Sequence, residues 1–194
     1  MKKTLAFVAL VGLAAFRVAS TAVYADTTST ATTQVHVTIN PNIAVSATQQ
    51  VWDLGTYQNG SFFATTQWRV DANVEAVQFC LQASDLYKGG DPSNADVPPI
   101  PLDSNTPATI TGEHANEING GDNRALWIGQ GSSVGGFPTK RTESVTYESS
   151  QSGHFSQVVT TTIYYNQDDP EKPQGQYSGI IKLLALIPPT NNQQ

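Results

Sequence analysis

The chain has 194 residues, of which 39% are hydrophobic and 13% charged, with a formal net charge of −6 and one cysteine. That length supports one domain with its own core. The acidic balance argues against a nucleic-acid surface, which needs clustered Lys and Arg where this chain offers only the pair Lys140-Arg141, and the lone Cys80 excludes an intrachain disulfide.

The N-terminus has three parts. Met1-Lys2-Lys3 is basic, Thr4 to Phe16 is an apolar run of thirteen residues, and Val23-Tyr24-Ala25 is a small-x-small site before Asp26. This is the plan of a secretory signal peptide over residues 1–25. The run falls short of the roughly 20 residues that span a bilayer. Cleavage would remove Lys2, Lys3 and Arg17 and leave 169 residues with 7 basic against 16 acidic side chains, a net −9. No later apolar stretch reaches membrane length, so no membrane association is expected once the leader is gone. An oxidising compartment permits disulfides without requiring them, and Cys80 is expected to be a half-buried thiol within a strand.

Asp26 to Thr33 is polar. In Gln34 to Ile39, Val35, Val37 and Ile39 alternate with His36 and Thr38; Pro41 interrupts, and Ile43 to Ala47 resumes the pattern. Two readings stand. The segment over 26–40 is a free strand fit to add to another protein's sheet edge, or it is an ordinary first strand paired within its own domain.

From residue 41 to 194 the chain is Thr-, Val-, Ser-, Gln- and Gly-rich, with period-two runs punctuated by Gly, Pro, Asn and Asp. The runs are Val51–Leu54, Phe62–Ala72, Val74–Gln82, Ala108–Thr111, Ala125–Ile128, Val145–Glu148, Phe155–Tyr165 and Tyr177–Ile187. Many short alternating strands predict an all-β sandwich or barrel. In the third run Val77, Phe79 and Leu81 share a core face, and Gln78, Cys80 and Gln82 share a wetter one. The last run is apolar on both faces: Ile181, Leu183, Ala185 and Ile187 on one, and Ile180, Leu184 and Leu186 with Lys182 on the other. Such a strand is expected to be central or covered, and Pro188-Pro189 ends it. Ser84 to Asn123 is Pro-, Gly- and Asn-rich and predicts long surface loops around one or two short strands; Gly129 to Lys140 is loop-like too.

The candidate chemistry is thin. His36, His114 and His154 have no metal-binding spacing. Asp103, Ser104 and His114 lack a G-x-S-x-G elbow, and Asp103-Ser104 suits a turn. Asn119 to Asn123 has oxygen-bearing residue types without EF-hand spacing. Trp52, Trp68 and Trp127 sit in apolar strand patterns and are expected to pack in the core. No catalytic residue, metal site or cofactor is expected, and the chain is not expected to be an enzyme.

The two ends of the mature region resemble chaperone–usher fimbrial major subunits, notably Cys-free colonisation-factor and archaic pilins. The matching residues are Val35-His-Val-Thr-Ile39, Pro41 and Ile43-Ala-Val45 at one end, and Gly175-Gln-Tyr177-Ser-Gly179-Ile-Ile at the other. The resemblance implies an immunoglobulin-like β-sandwich lacking one strand. A periplasmic chaperone would fill the gap first, and the N-terminal strand of the next subunit would replace it at an outer-membrane usher. Val35, Val37 and Ile39 would be the donor plugs. Tyr177, Gly179, Ile181, Leu183, Ala185 and Ile187 would form the acceptor groove or C-terminal strand. The implied function is a structural subunit of an extracellular, cell-surface filament made of copies of itself, for adhesion or biofilm. The alternatives are a monomeric secreted β-sandwich that binds a glycan or surface ligand, and a secreted hydrolase on a β scaffold.

Overall fold

The computed structural model describes residues 34–49, 53–119 and 121–189. The expected leader, residues 26–33 of the extension, Gln50, Val51, Trp52, Gly120 and the tail after residue 189 lie outside the described residues. The described residues fall into two units, one ending at Ile39 and the other beginning at Asn40. In the first, residues 34–39 belong to no strand.

The second unit is all-β among its described residues. Its strands are β1 (Ile43–Ala47), β2 (Gly60–Ala72), β3 (Ala76–Ala83), β4 (Tyr87–Lys88), β5 (Ala108–Gly112), β6 (Ala115–Glu117), β7 (Arg124–Ala125), β8 (Trp127–Gln130), β9 (Lys140–Thr142), β10 (Val145–Ser149), β11 (Phe155–Gln167), β12 (Tyr177–Ser178) and β13 (Ile181–Leu186). Eleven form one network in the order β1-β2-β11-β5-β6-β10-β3-β9-β8, with β13 on β3 and β7 on β5, while β12 and β4 make a separate ribbon. Every strand pairing in these sheets is antiparallel.

The longest ladder joins β2 to β11, from Phe155↔Ala72 to Gln167↔Gly60. Both strands alternate strictly, and so bury one face and leave the other toward water. The tight step Gly112↔Ala115 between β5 and β6 carries the network round to β10 and β3. The inner faces then meet in one core: Val70, Ile110, Val159 and Ile163 from one side, and Val77, Phe79, Leu81, Tyr147 and Leu183 from the other. Phe79 of β3 packs edge-on against Phe155 of β11 at 5.6 Å between ring centroids. This arrangement is consistent with a β-sandwich.

Four sequence expectations change. The alternating run at 34–39 carries no strand, and residues 53–54 carry none either; period two makes a strand only where an edge is at hand to pair with. Cys80 and Gln82, placed on the wetter face of β3, are buried. The 131–139 loop lies against Gln82: a Cβ on Gly131 would stand 3.4 Å from Gln82, and Ser132 Oγ donates to Gln82 Oε1 at 3.3 Å, while Cys80 Sγ lies 3.2 Å from the Thr142 carbonyl of β9. Residues 84–123 hold three short strands, β4 to β6, and are tied down by buried Ile100 and Leu102. Lys172 Nζ also donates to the Pro98 and Pro99 carbonyls at 3.1 and 3.3 Å. Finally, β13 is not central: among the described residues it pairs with β3 alone.

Candidate functional site

The last strand is set by a chain of close backbone contacts. Gly175 has φ +150°, and a Cβ there would meet Lys88 Cε at 2.9 Å, so glycine suits the place where the chain comes up to the β12–β4 ribbon. Tyr177 pairs with Lys88, and its hydroxyl donates to the Pro173 carbonyl at 2.8 Å. Gly179 has the tightest fit. A Cβ would lie 2.6 Å from both the Asp85 carbonyl and Ser84 Oγ. That approach lets Ile180 N donate to Ser84 Oγ at 2.9 Å and Ser84 N donate to the Ile180 carbonyl at 3.0 Å. The chain thus leaves one short ribbon at Gly179 and joins β3 at Ile181↔Ala83. The G-x-Y-x-G spacing is the geometry of that step.

Along β13 the two apolar faces diverge. Leu183 is in the core, with Ile181 and Ala185 packed against it. Ile187 lies just past the strand and is half-buried. The opposite face carries exposed Lys182, half-buried Leu184 and Leu186, which is 53% exposed. The edge of β13 turned away from β3 has no ladder among the described residues. The first strand is in the same position. Among the described residues β1 pairs only with β2, from Ile43↔Ala72 to Ala47↔Trp68, and most of it is exposed, Val45 included. The Cα traces of β1 and β13 come within 8 Å, yet no ladder joins them. Hydrogen-bonded strands lie about 4.7–4.9 Å apart. Two unpaired edges therefore run near each other with apolar residues along them.

The expected donor residues are open to solvent. Val35, Val37 and Ile39 are 88%, 84% and 77% exposed. Three large apolar side chains in alternation, in no strand, are unusual on the surface of a folded domain.

The other candidates are not assembled into a site. His36, His114 and His154 are exposed. Asp103 caps its own turn: Thr106 Oγ1 donates to Asp103 Oδ2 at 2.7 Å and Asn105 N to Oδ1 at 3.0 Å. The Thr106 bond leads in holding that carboxyl below its ordinary value of 3.8. His114 stands beside Glu113, with 3.9 Å between Nε2 and Oε1. Among the described residues, no group of three or more His, Cys, Asp or Glu could hold a metal ion. A concavity of about 370 Å³ is lined by Glu117, Asn119, Asp122, Arg124 and Glu143. Its carboxylates serve the backbone: Glu117 accepts from Asn123 N, Asp122 from Arg124 N and Glu143 from Leu126 N. Trp68 is buried, with Nε1 donating to Thr161 Oγ1 at 2.9 Å, and Trp127 is half-buried, with Nε1 donating to the Thr106 carbonyl. Cys80 is buried, with Sγ 3.2 Å from the Thr142 carbonyl.

Sequence reasoning missed Ser84 and Asp85, which seat Gly179 and, through Leu102 N to Asp85 Oδ1 at 2.8 Å, the 98–102 loop. A Ser-Asp pair after a strand signals a turn, but not which distant segment it holds. Compared with known proteins, the chain matches no family model, no curated protein and no solved structure.

Proposed function

We propose that this chain is a structural, non-enzymatic subunit of an extracellular filament, polymerised by donor-strand exchange. On this reading the domain is an immunoglobulin-like sandwich short of one strand. The N-terminal segment of a neighbouring copy supplies that strand. A periplasmic chaperone fills the place beforehand, and an outer-membrane usher is the site of exchange.

One observation carries the reading. β13 is apolar on both faces but, among the described residues, unpaired along one edge, near a second such edge on β1. An open edge with apolar flanks is a template for another strand, and buried backbone groups left unpaired are costly. The same chain carries the complementary object, an exposed segment with Val35, Val37 and Ile39 on one face at period two. Burying each of these side chains stabilises a joint by roughly 1.5–3 kcal/mol. Pro41 separates donor from domain, because it cannot continue a ladder.

The test uses two chains. Val37→Asp sets a charge in the joint and should leave subunits monomeric or chaperone-bound. A chain lacking residues 26–39 should stop polymerising yet bind a synthetic peptide of that sequence. Intact filaments from Val37→Asp would overturn the donor-strand mechanism, and a wild-type chain that stays monomeric with its own N-terminus docked would replace this reading with a secreted monomer.

A further inference from the structure

We propose that Asn73 is a clamp that fixes how the N-terminal extension leaves the domain. Asn73 stands at the corner between β2 and β3. Its side-chain amide reaches across Pro41. Nδ2 donates to the Asn40 carbonyl at 3.0 Å, and Oδ1 accepts from Asn42 N at 2.6 Å. Its own backbone N donates to the Asn42 carbonyl at 3.2 Å.

The proline explains why a side chain is used. The β1–β2 ladder reaches Ile43↔Ala72, and Asn73 N adds one bond beyond it. Pro41 then has no N–H to offer. The carbonyl before it and the N–H after it remain, one acceptor and one donor. A primary amide presents the opposite pair, a donor and an acceptor, in a fixed plane. Only one orientation of the Asn73 amide satisfies both groups. Aspartate would offer two acceptors, and leucine neither.

The clamp holds the backbone out to Asn40, where the extension begins. Asn40, Pro41, Asn42 and Asn73 are all exposed, so these bonds add little to the core's stability. Their effect is on direction. Pro41 by itself only biases residue 40 toward extended backbone. If the filament reading above holds, residues 34–40 link one subunit to the next. Seven extended residues make a lever of about 23 Å at ~3.3 Å each, so a loosened angle at Asn40 becomes a loosened angle between subunits.

The experiment uses the full mature chain with Cys80→Ser and a nitroxide on Thr38→Cys, with and without Asn73→Ala or Asn73→Asp. Asn73→Ala should speed exchange of the Asn42 amide about tenfold or more and sharpen the nitroxide spectrum, with Tm almost unchanged. Asn73→Asp keeps the acceptor for Asn42 N and loses the donor to Asn40. It should retain the slow Asn42 exchange but still free the label. Unchanged exchange and an unchanged spectrum in Asn73→Ala would overturn the clamp. Filaments of Asn73→Ala should have a shorter persistence length than wild type, and equal stiffness would overturn its hold on the extension. A wild-type chain that forms no filaments would remove the filament reading alone, because exchange and label mobility in the monomer still decide the clamp.

Discussion

The β2–β11 ladder and the β1/β13 edges are built from similar residues with opposite outcomes. From Phe62 along β2 and throughout β11 every second residue is buried, most of them apolar, and both strands have neighbours on each edge. In β13 nearly every residue is apolar, yet among the described residues one edge has no neighbour, and Leu186 faces water. The first region is completed by the described strands around it, and the second carries apolar surface that the described residues leave open. Alternation describes a strand with one face toward water, while two-faced apolarity describes a strand that gains by being covered. The donor strand proposed above would supply that cover.

The contrast is sharpest where truncation acts. Ile163→Ala removes a buried side chain from the middle of β11 and should cost about 2–5 kcal/mol. Leu186→Ala on β13 should cost within about 0.5 kcal/mol in the monomer. Chemical denaturation of both variants measures the difference, and equal losses would erase the distinction between the regions. In the proposed filament the gap should narrow, because the donor strand would then lie against Leu186.

A second break lies at the start of β13. Gly179→Ala sets a methyl 2.6 Å from the Asp85 carbonyl and should cost about 1–3 kcal/mol by overpacking. Hydrogen exchange should show the loss centred on β13, with the β2–β11 amides still protected. Loss spread evenly over both regions would mean that the edge is not a separate weak point.

The unpaired edges can also be filled. A peptide of residues 26–40 should protect β13 amides from exchange and raise Tm, with a stabilisation of about 2.7 kcal/mol at a hundredfold excess over Kd. A scrambled peptide that keeps composition but not the Val35-x-Val37-x-Ile39 spacing should do neither. Equal protection by both would reduce the edges to a nonspecific sticky surface.

The smallest effect expected is on acid stability, and it falls on the finished region. Arg69 and then Ser156 hydrogen-bond Asp71 and hold its carboxyl below 3.8. A depressed folded value adds stability that is complete above the unfolded value and is lost as pH falls through the folded one. Asp71 is exposed, so the effect is small. Stability of wild type should decline below about pH 4, and Asp71→Asn should flatten a small part of that decline. A decline that begins well above pH 5 would assign it to other groups.

Much of the fold is legible in the residues themselves. Period two in Phe62–Ala72 and Phe155–Tyr165 marks both long strands, because one buried face imposes that spacing on any sequence. The isolated Val35-x-Val37-x-Ile39 run and the G-x-Y-x-G step can likewise be read from residues alone, since alternation and glycine are local signals. What these segments touch cannot. The pattern around Cys80 and Gln82 looks wet because nothing local announces that Thr142 of β9 will lie against Cys80 and the 131–139 loop against Gln82. The pattern of β13 looks covered because apolarity records the need for a partner, not whether the same chain meets it. The Asn73 amide that bridges Pro41 from 31 and 33 residues away is invisible in the sequence for the same reason. Sequence by itself determines strand positions, faces and the proline break, which depend on neighbours one or two residues along. Only the tertiary structure decides which edges stay open and which side chains hold them, because those depend on groups that meet only after the chain has folded.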